Sequence, residues 1–171
     1  MLRAKREAVE RMLGSQPAHV AYLAVDFERD DLVERLREAG LGSEPCFFIW
    51  EGVTSYLSAA GVDATLRCIG TSAAPGSGIA FTYLNRRALE GSRPGLASWA
   101  ASVDRAGEPF SFGLDPDELP GYLAERGLEP LKDVSTAQAA PAYLRPFGRN
   151  GEGSTAAHVV RARVPAAGGN Q

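Results

Sequence analysis

Cysteine is scarce in these 171 residues: Cys46 and Cys68 are the only two, and no Cys-x-x-Cys pair occurs. That excludes a disulfide scaffold or a zinc-ribbon module and leaves two buried free thiols as the expectation, since Cys packs as a small hydrophobe. No apolar run approaches the roughly 18 residues of a membrane span. The start, Met1-Leu2-Arg3-Ala4-Lys5-Arg6, leads into a charged helix rather than the apolar core of a secretion signal, so the cytoplasm is the expected location. The formal charge is only −3 and is spread over mixed-sign segments. Without a basic stripe, a nucleic-acid partner is not expected. A Gly-x-Gly-x-x-Gly turn is also missing. Gly151-Glu152-Gly153-Ser154-Thr155-Ala156 imitates a looser form of it, but precedes a strand and follows a loop, the reverse of what a phosphate-binding turn needs.

What is present is an alternation of helices and strands. Residues 2–13 read as a helix of mixed charge, stopped by Gly14 to Pro17. His19 to Phe27 reads as a buried strand with an apolar middle. Asp30 and Asp31 can cap a helix through Ala39, with Leu32, Val33 and Leu36 apolar and Gly40 at its end. A strand at 46–50 follows, then a helix from Ser58 to about Gly70 with Val62, Leu66 and Ile69 facing inward. Pro75-Gly76-Ser77-Gly78 turns into a strand at 79–84. Residues 86–106 read as helical pieces interrupted by Arg93-Pro94-Gly95. Asp117 can cap a helix to Arg126, with Pro120 in its tolerant first turn. Strands at 128–134 and 158–164, joined by a Gly- and Pro-rich connection at 141–155, close the chain before a frayed tail from Ala166. Neither a repeat nor a linker divides it, so one α/β domain with a mainly parallel sheet is expected.

The most informative stretch is Phe47-Phe48-Ile49-Trp50-Glu51-Gly52-Val53-Thr54-Ser55-Tyr56-Leu57. An apolar strand breaks at a Trp-Glu-Gly corner and opens toward a helix. Such a corner carries an acidic residue to the carboxyl edge of a parallel sheet, where open α/β sheets bind small ligands. It resembles the fourth-strand motif of the leucine carboxyl methyltransferase-like family of S-adenosylmethionine-dependent enzymes. Further landmarks match that family in order: Val25-Asp26-Phe27-Glu28-Arg29-Asp30-Asp31, Pro75-Gly76-Ser77, Gly107-Glu108-Pro109-Phe110 with Phe112-Gly113, and Asp115-Pro116 followed by Leu123 to Leu128. The resemblance covers nearly the whole chain from about residue 5.

The resemblance implies a Rossmann-like class I methyltransferase sheet, mainly parallel with a final antiparallel strand, lacking the first two strands. It implies S-adenosyl-L-methionine as cofactor, with Asp26 accepting from the adenine amino group, Phe27 presenting backbone and ring, Glu51 contacting the cofactor and Gly52 permitting close approach. The acceptor pocket is expected near Tyr56, Tyr83 and Asn85. The plainer readings stay open: Asp26 as a helix-entry cap, Glu51 as a solvated turn residue, Trp50 and Tyr56 as core aromatics. O-methylation of a small-molecule carboxylate or hydroxyl is the implied reaction. A carboxylate needs no general base; for a hydroxyl, Asp104, Glu108 and His158 are the residues to test.

The family's glycine-rich turn and ribose-binding acid would precede residue 1. Without the first two strands, a gap of three strand spacings, about 14 Å, would separate strand 19–27 from strand 46–50. Either strand 19–27 moves over to pair with strand 46–50, or something else fills the gap. Beside the small-molecule acceptor, a homo-oligomer or a separate N-terminal half is one reading of that gap, and a gene fragment or a mis-set start codon is the other. The competing reading is a non-catalytic α/β remnant that binds a partner or ligand. A nicotinamide-dinucleotide domain is disfavoured by the absent phosphate turn.

Overall fold

The computed structural model describes residues 2–90 and 110–166. Its elements in order are α1 (Leu2–Leu13), α2 (Leu32–Glu38), β1 (Phe47–Trp50), α3 (Ala59–Ser72), β2 (Gly78–Leu84), α4 (Arg86–Glu90), α5 (Leu119–Ala124), β3 (Glu129–Ser135), α6 (Thr136–Tyr143) and β4 (Ala157–Arg163). Short 3-10 turns at Thr54–Tyr56 and Arg145–Phe147 complete them.

The strands form one sheet in the order β1-β2-β4-β3. β1 and β2 run parallel, and β4 is antiparallel to both β2 and β3. Three strands therefore share one direction and the last in sequence runs against them, as expected from the sequence. One face of the sheet carries the core. Trp50, Ile79, Phe81, Tyr83, Val160 and Ala162 alternate toward the helices and meet Val62, Leu66 and Ile69 of α3 and Leu119 and Leu123 of α5. The three α3 residues named from periodicity are all buried.

Local chemistry sets the helix boundaries. Asp31 caps α2 by accepting from Glu34 N at 3.1 Å, and Ser58 caps α3 by accepting from Gly61 N at 3.0 Å. At the start of α5 the Asp117 cap is not formed. Asp115 instead accepts from Asp117 N at 3.1 Å, and Glu118 takes the cap position without a side-chain capping bond. The buried Asp115 carboxylate, paired with Arg87 at 2.5 Å, holds the turn one step earlier than the sequence pattern places it. α6 falls where no element was expected. A reciprocal capping box starts it: Gln138 N donates to Ser135 Oγ at 3.2 Å, and Ser135 N donates to Gln138 Oε1 at 2.8 Å.

Two expectations fail together. Residues 19–27 form no strand but an irregular segment that ends in a turn at 27–29. A strand needs a ladder partner for its backbone groups, and no described strand lies beside this segment. Consequently β1 is not a strand buried on both faces but the outer strand of the described sheet, with Phe47 57% and Ile49 75% exposed. The helical pieces expected within 86–106 are seen at α4, and the remainder lies outside the described residues. Both cysteines are free and half-buried.

Candidate functional site

The corner after β1 is pinned to β2 from both sides. Gly52 N donates to Thr82 Oγ1 at 2.8 Å, and Thr54 Oγ1 donates to Thr82 O at 2.5 Å. Gly52 holds φ +69°, the left-handed region that only glycine enters at no steric cost, and a Cβ built there meets nothing within 4 Å. The chain thus turns sharply at the carboxyl end of the strand with open space beside it. Glu51 is exposed at this edge.

The segment 26–30 is brought to the same corner by packing rather than by a sheet ladder. The Phe27 ring lies 5.9 Å from the Trp50 ring, and Trp50 in turn lies 6.4 Å from Phe81. Trp50 is buried, and its indole N–H has no hydrogen-bond partner among the described residues. Glu28 makes the second link: its carboxylate accepts from Ser58 N and from Ser58 Oγ, each at 2.9 Å. A carboxylate at the start of α3 also opposes the helix's positive end. Sequence reasoning passed over Glu28 because its partner is distant in the chain and no local motif announces the pair.

Asp26 serves its own turn. Its Oδ1 accepts from Glu28 N at 3.0 Å, while its backbone N donates to Asp30 Oδ2 at 2.9 Å. The carboxylate remains half exposed, with Arg29 3.8 Å away. A carboxylate has about four acceptor positions, so this turn leaves capacity for a further donor. Asp26, Phe27, Glu51 and Gly52 therefore lie around one corner, linked by the Phe27–Trp50 contact and the Glu28–Ser58 clasp.

The three residues named for the acceptor side are not gathered in the same way. Tyr56 is 40% exposed and its ring lies 5.5 Å from Phe110. Tyr83 is in the core, 1% exposed, because its place in β2 faces the helices. Its hydroxyl donates to Asp133 Oδ2 at 2.9 Å, and the same carboxylate lies 3.1 Å from His158 Nδ1. Burial, reinforced by the negative Asp133, pushes the Tyr83 phenol well above its ordinary range. Asn85 is occupied as a cap, its Oδ1 accepting from Arg87 N at 3.0 Å at the start of α4. Asp104 and Glu108 lie outside the described residues.

A cavity of about 720 Å³ opens on the other flank of α3, lined by Ala59, Asp63, Arg86, Phe112, Tyr122 and Arg126 among others. None of the candidate cofactor- or acceptor-binding residues lines it, but Phe110, Phe112 and Gly113 of the family landmarks do. Its charged groups are paired internally, Asp63 with Arg67 and Arg126, and Arg86 with Glu118 at 2.8 Å. The Arg67 and Arg126 guanidiniums hold the Asp63 carboxyl below its ordinary value. The Arg126 guanidinium also lies over the Tyr122 ring, 3.4 Å from its centre. Among the described residues no group of three or more His, Cys, Asp or Glu is placed to hold a metal ion. No described helix is long and apolar enough to cross a membrane.

Comparison with known proteins fits the corner. The leucine carboxyl methyltransferase family matches residues 1–70, which include both the 26–30 turn and the Trp50-Glu51-Gly52 corner. A Mycobacteroides abscessus protein, provisionally named an S-adenosyl-L-methionine-dependent methyltransferase, is 34% identical over 162 residues. That alignment takes in 86% of this chain and 50% of the relative. A second relative, from Mycolicibacterium smegmatis and provisionally named in the same way, is 39% identical over 94 residues, 53% of this chain and 31% of its own length. This chain therefore spans half or less of these relatives.

Solved structures share the fold at low identity. An O-methyltransferase family protein from Burkholderia thailandensis superposes with a TM-score of 0.58 at 10% identity, over 96% of this chain and 41% of that one. Human N-acetylserotonin methyltransferase, solved with its methyl donor, gives 0.52 at 15% identity over 89% and 36%. The four-stranded sheet is thus part of a class I methyltransferase fold, and the resemblance read from the sequence holds.

Proposed function

We propose that this chain carries the adenine side of an S-adenosyl-L-methionine site in a methyltransferase of the leucine carboxyl methyltransferase family. The observation that carries this reading is the meeting of Asp26-Phe27 with Glu51-Gly52 at one corner, locked by Glu28 on Ser58. The donor set suits an adenosine group. Asp26 offers an acceptor for the adenine amino group, Glu51 a second acceptor at the same edge, Phe27 an apolar surface, and Gly52 leaves room for close approach.

S-adenosylmethionine, when bound, supplies an electrophilic methyl group on a sulfonium. The chain's own residues bind and orient: the corner fixes the adenosine end, and Tyr56 flanks the carboxyl edge of the sheet where an acceptor would enter. We assign the reaction to O-methylation of a small-molecule carboxylate or hydroxyl. A carboxylate acceptor is already ionised at neutral pH, so its methylation depends on alignment and water exclusion rather than on a proton-transfer residue.

Affinity should be low in this chain alone. An intact micromolar site corresponds to about −8 kcal/mol. The described corner offers no assigned partner for the cofactor carboxylate or the ribose, and two such missing contacts would remove about 3–6 kcal/mol at roughly 1.5–3 kcal/mol per charged hydrogen bond. Calorimetric titration should therefore show binding near millimolar, weakened at least tenfold (about 1.4 kcal/mol) in Asp26→Ala with Glu51→Ala. Equal binding by both proteins would overturn the assignment. No binding by either would favour the second reading, a non-catalytic partner-binding module.

A further inference from the structure

The cavity of about 720 Å³ between α3 and α5 has the size of a small-molecule site, and the corner described above makes no use of it. Its walls come from α3, α5, Arg86, Glu118 and the segment 110–114, and none from the edge of β1. That segment is stitched to the sheet at two places. Ser111 N and Phe112 N donate to Ser55 O at 2.8 and 3.3 Å, in the turn that follows the corner. Leu114 N donates to Leu84 O at 3.0 Å, and Arg86 N donates to Leu114 O at 3.2 Å, where β2 ends. The cavity wall is thus anchored at the carboxyl ends of β1 and β2, and the Tyr56–Phe110 ring contact ties it to the turn after the corner.

The lining is aromatic. Phe110, Phe112 and Tyr122 supply rings, with Phe112 and Tyr122 6.3 Å apart and inclined at 46°. Ala59 and Ala60 add only methyl groups, which leaves the space open. Rings in such arrangements favour a flat π-system over a saturated body of the same volume.

The polar groups of the lining have donors to spare. Of its four charged residues, Asp63 has both oxygens engaged, by Arg67 at 2.8 Å and by Arg126. The Arg126 side chain is 8% exposed, and its buried Nε–H has no partner among the described residues. Arg86, among the described residues, gives one side-chain N–H, to Glu118 at 2.8 Å. Both members of that pair are substantially exposed, and such a pair is weak enough for a ligand to compete with. Glu118 is the lining carboxylate that opposes an anion, and its exposure lets it turn to solvent. A ligand carboxylate seated on the apolar wall is partly screened from water, where its attraction to Arg86 is stronger than in the open.

We propose that this cavity binds a small, flat aromatic carboxylic acid, its rings against Phe110, Phe112 and Tyr122 and its carboxylate on Arg86. The binding claim stands apart from the cofactor reading; only the role of this acid as the methyl acceptor rests on it.

The test is a set of amide NMR titrations of the full chain with naphthoate, neutral naphthamide and saturated decahydronaphthoate, three ligands of similar volume. Ala60→Phe, at an exposed position of α3, fills the cavity, and Arg86→Gln removes the cation. Circular dichroism of each variant confirms that the fold is kept. Naphthoate should shift the amides of Ala60, Ser111, Phe112 and Tyr122 and bind about tenfold more tightly than either analogue. Ala60→Phe should abolish binding of all three. Arg86→Gln should bring naphthoate down to the level of naphthamide and leave naphthamide unchanged, a split that a general loss of structure would not give. Naphthoate that leaves these amides unmoved, binds no better than either analogue, or binds Ala60→Phe as well as the parent would overturn the proposal. S-adenosylmethionine titrated into the same samples reads the cofactor claim separately, at residues 24–31 and 49–60, so that either can fail without the other.

Discussion

Glu28 holds Ser58 with both carboxylate oxygens, each 2.9 Å from a donor, and so fastens the turn at 26–30 to the helix that follows the corner. It ties the irregular segment, which has no strand ladder of its own, to the rigid part of the fold. Replacing Glu28 with Ala should cost about 1–2 kcal/mol, the usual range for a lost cap and charged hydrogen bond. Urea unfolding measures this. A cost within error of zero would mean that the turn is held by Phe27 alone.

Gly70 in α3 and Gly127 after α5 touch backbone to backbone. A Cβ at position 70 would overlap the Arg126 carbonyl oxygen, and Gly127 sits at φ +75° against Gly70. Neither a side-chain rotation nor a small shift relieves a clash with main chain. Gly70→Ala should therefore destabilise by about 2–3 kcal/mol, the range for overpacking a core. The helix-propensity gain of about 1 kcal/mol from Gly to Ala acts in the opposite direction and is smaller. Thermal unfolding decides the sign, and a stabilised variant would show that α3 and α5 are not packed this closely.

Tyr83 should make the fold sensitive to alkali. Burial, together with Asp133, raises its pKa in the folded chain above the ordinary value of 10.0. The unfolded chain therefore loses the phenolic proton first, while the folded chain keeps it. Stability from this group is complete below the unfolded value and is lost as pH rises past it. Tyr122 is shifted in the same direction, chiefly by burial, and adds to the loss. The urea midpoint should fall between pH of about 8 and about 11, and fall less in Tyr83→Phe. Equal slopes in the two proteins would show that the Tyr83 hydroxyl reaches solvent.

Arg126 illustrates a pairing that strengthens a helix contact. It is 7% exposed, bonded to Asp63 and stacked on Tyr122. Arg126→Met keeps the volume but removes the charge. Asp63 keeps Arg67 as a partner, so the loss should be about 1–2 kcal/mol rather than the roughly 3–5 kcal/mol of a buried charge left alone. Adding Arg67→Met should then cost more than the same change in the parent chain. Additive costs would mean that the two arginines act independently.

How much of this was legible in the sequence depends on how local each cause is. The caps at Asp31 and Ser58, the inward face of α3 and the strands β1, β2, β3 and β4 follow from neighbouring residues, and all were readable. The α6 capping box was readable too, since Ser135 and Gln138 stand three residues apart, but the pattern was passed over in favour of the Gly- and Pro-rich stretch after it. What could not be read was the state of residues 19–27. Their apolar pattern suits a strand, yet a strand exists only with a neighbour to pair with, and that neighbour is not written in the segment itself. The same dependence explains why Phe47 and Ile49, apolar enough for a core, stand in the open. At the candidate site, Asp26, Phe27, Glu51 and Gly52 are named through motif resemblance, whereas Glu28, Thr82 and the burial of Tyr83 depend on tertiary contacts.

The central claim is that the corner at 50–52 and the turn at 26–28 form one adenosine-binding surface. Hydrogen–deuterium exchange of the full chain, with and without about millimolar S-adenosylmethionine, tests it most directly, because it locates a weak ligand rather than only detecting it. The account predicts slowed exchange in peptides spanning 24–31 and 49–60, unchanged exchange across β3 and β4, and loss of the protection in Asp26→Ala with Glu51→Ala. Protection confined to the cavity between α3 and α5, or none at either segment, would contradict it.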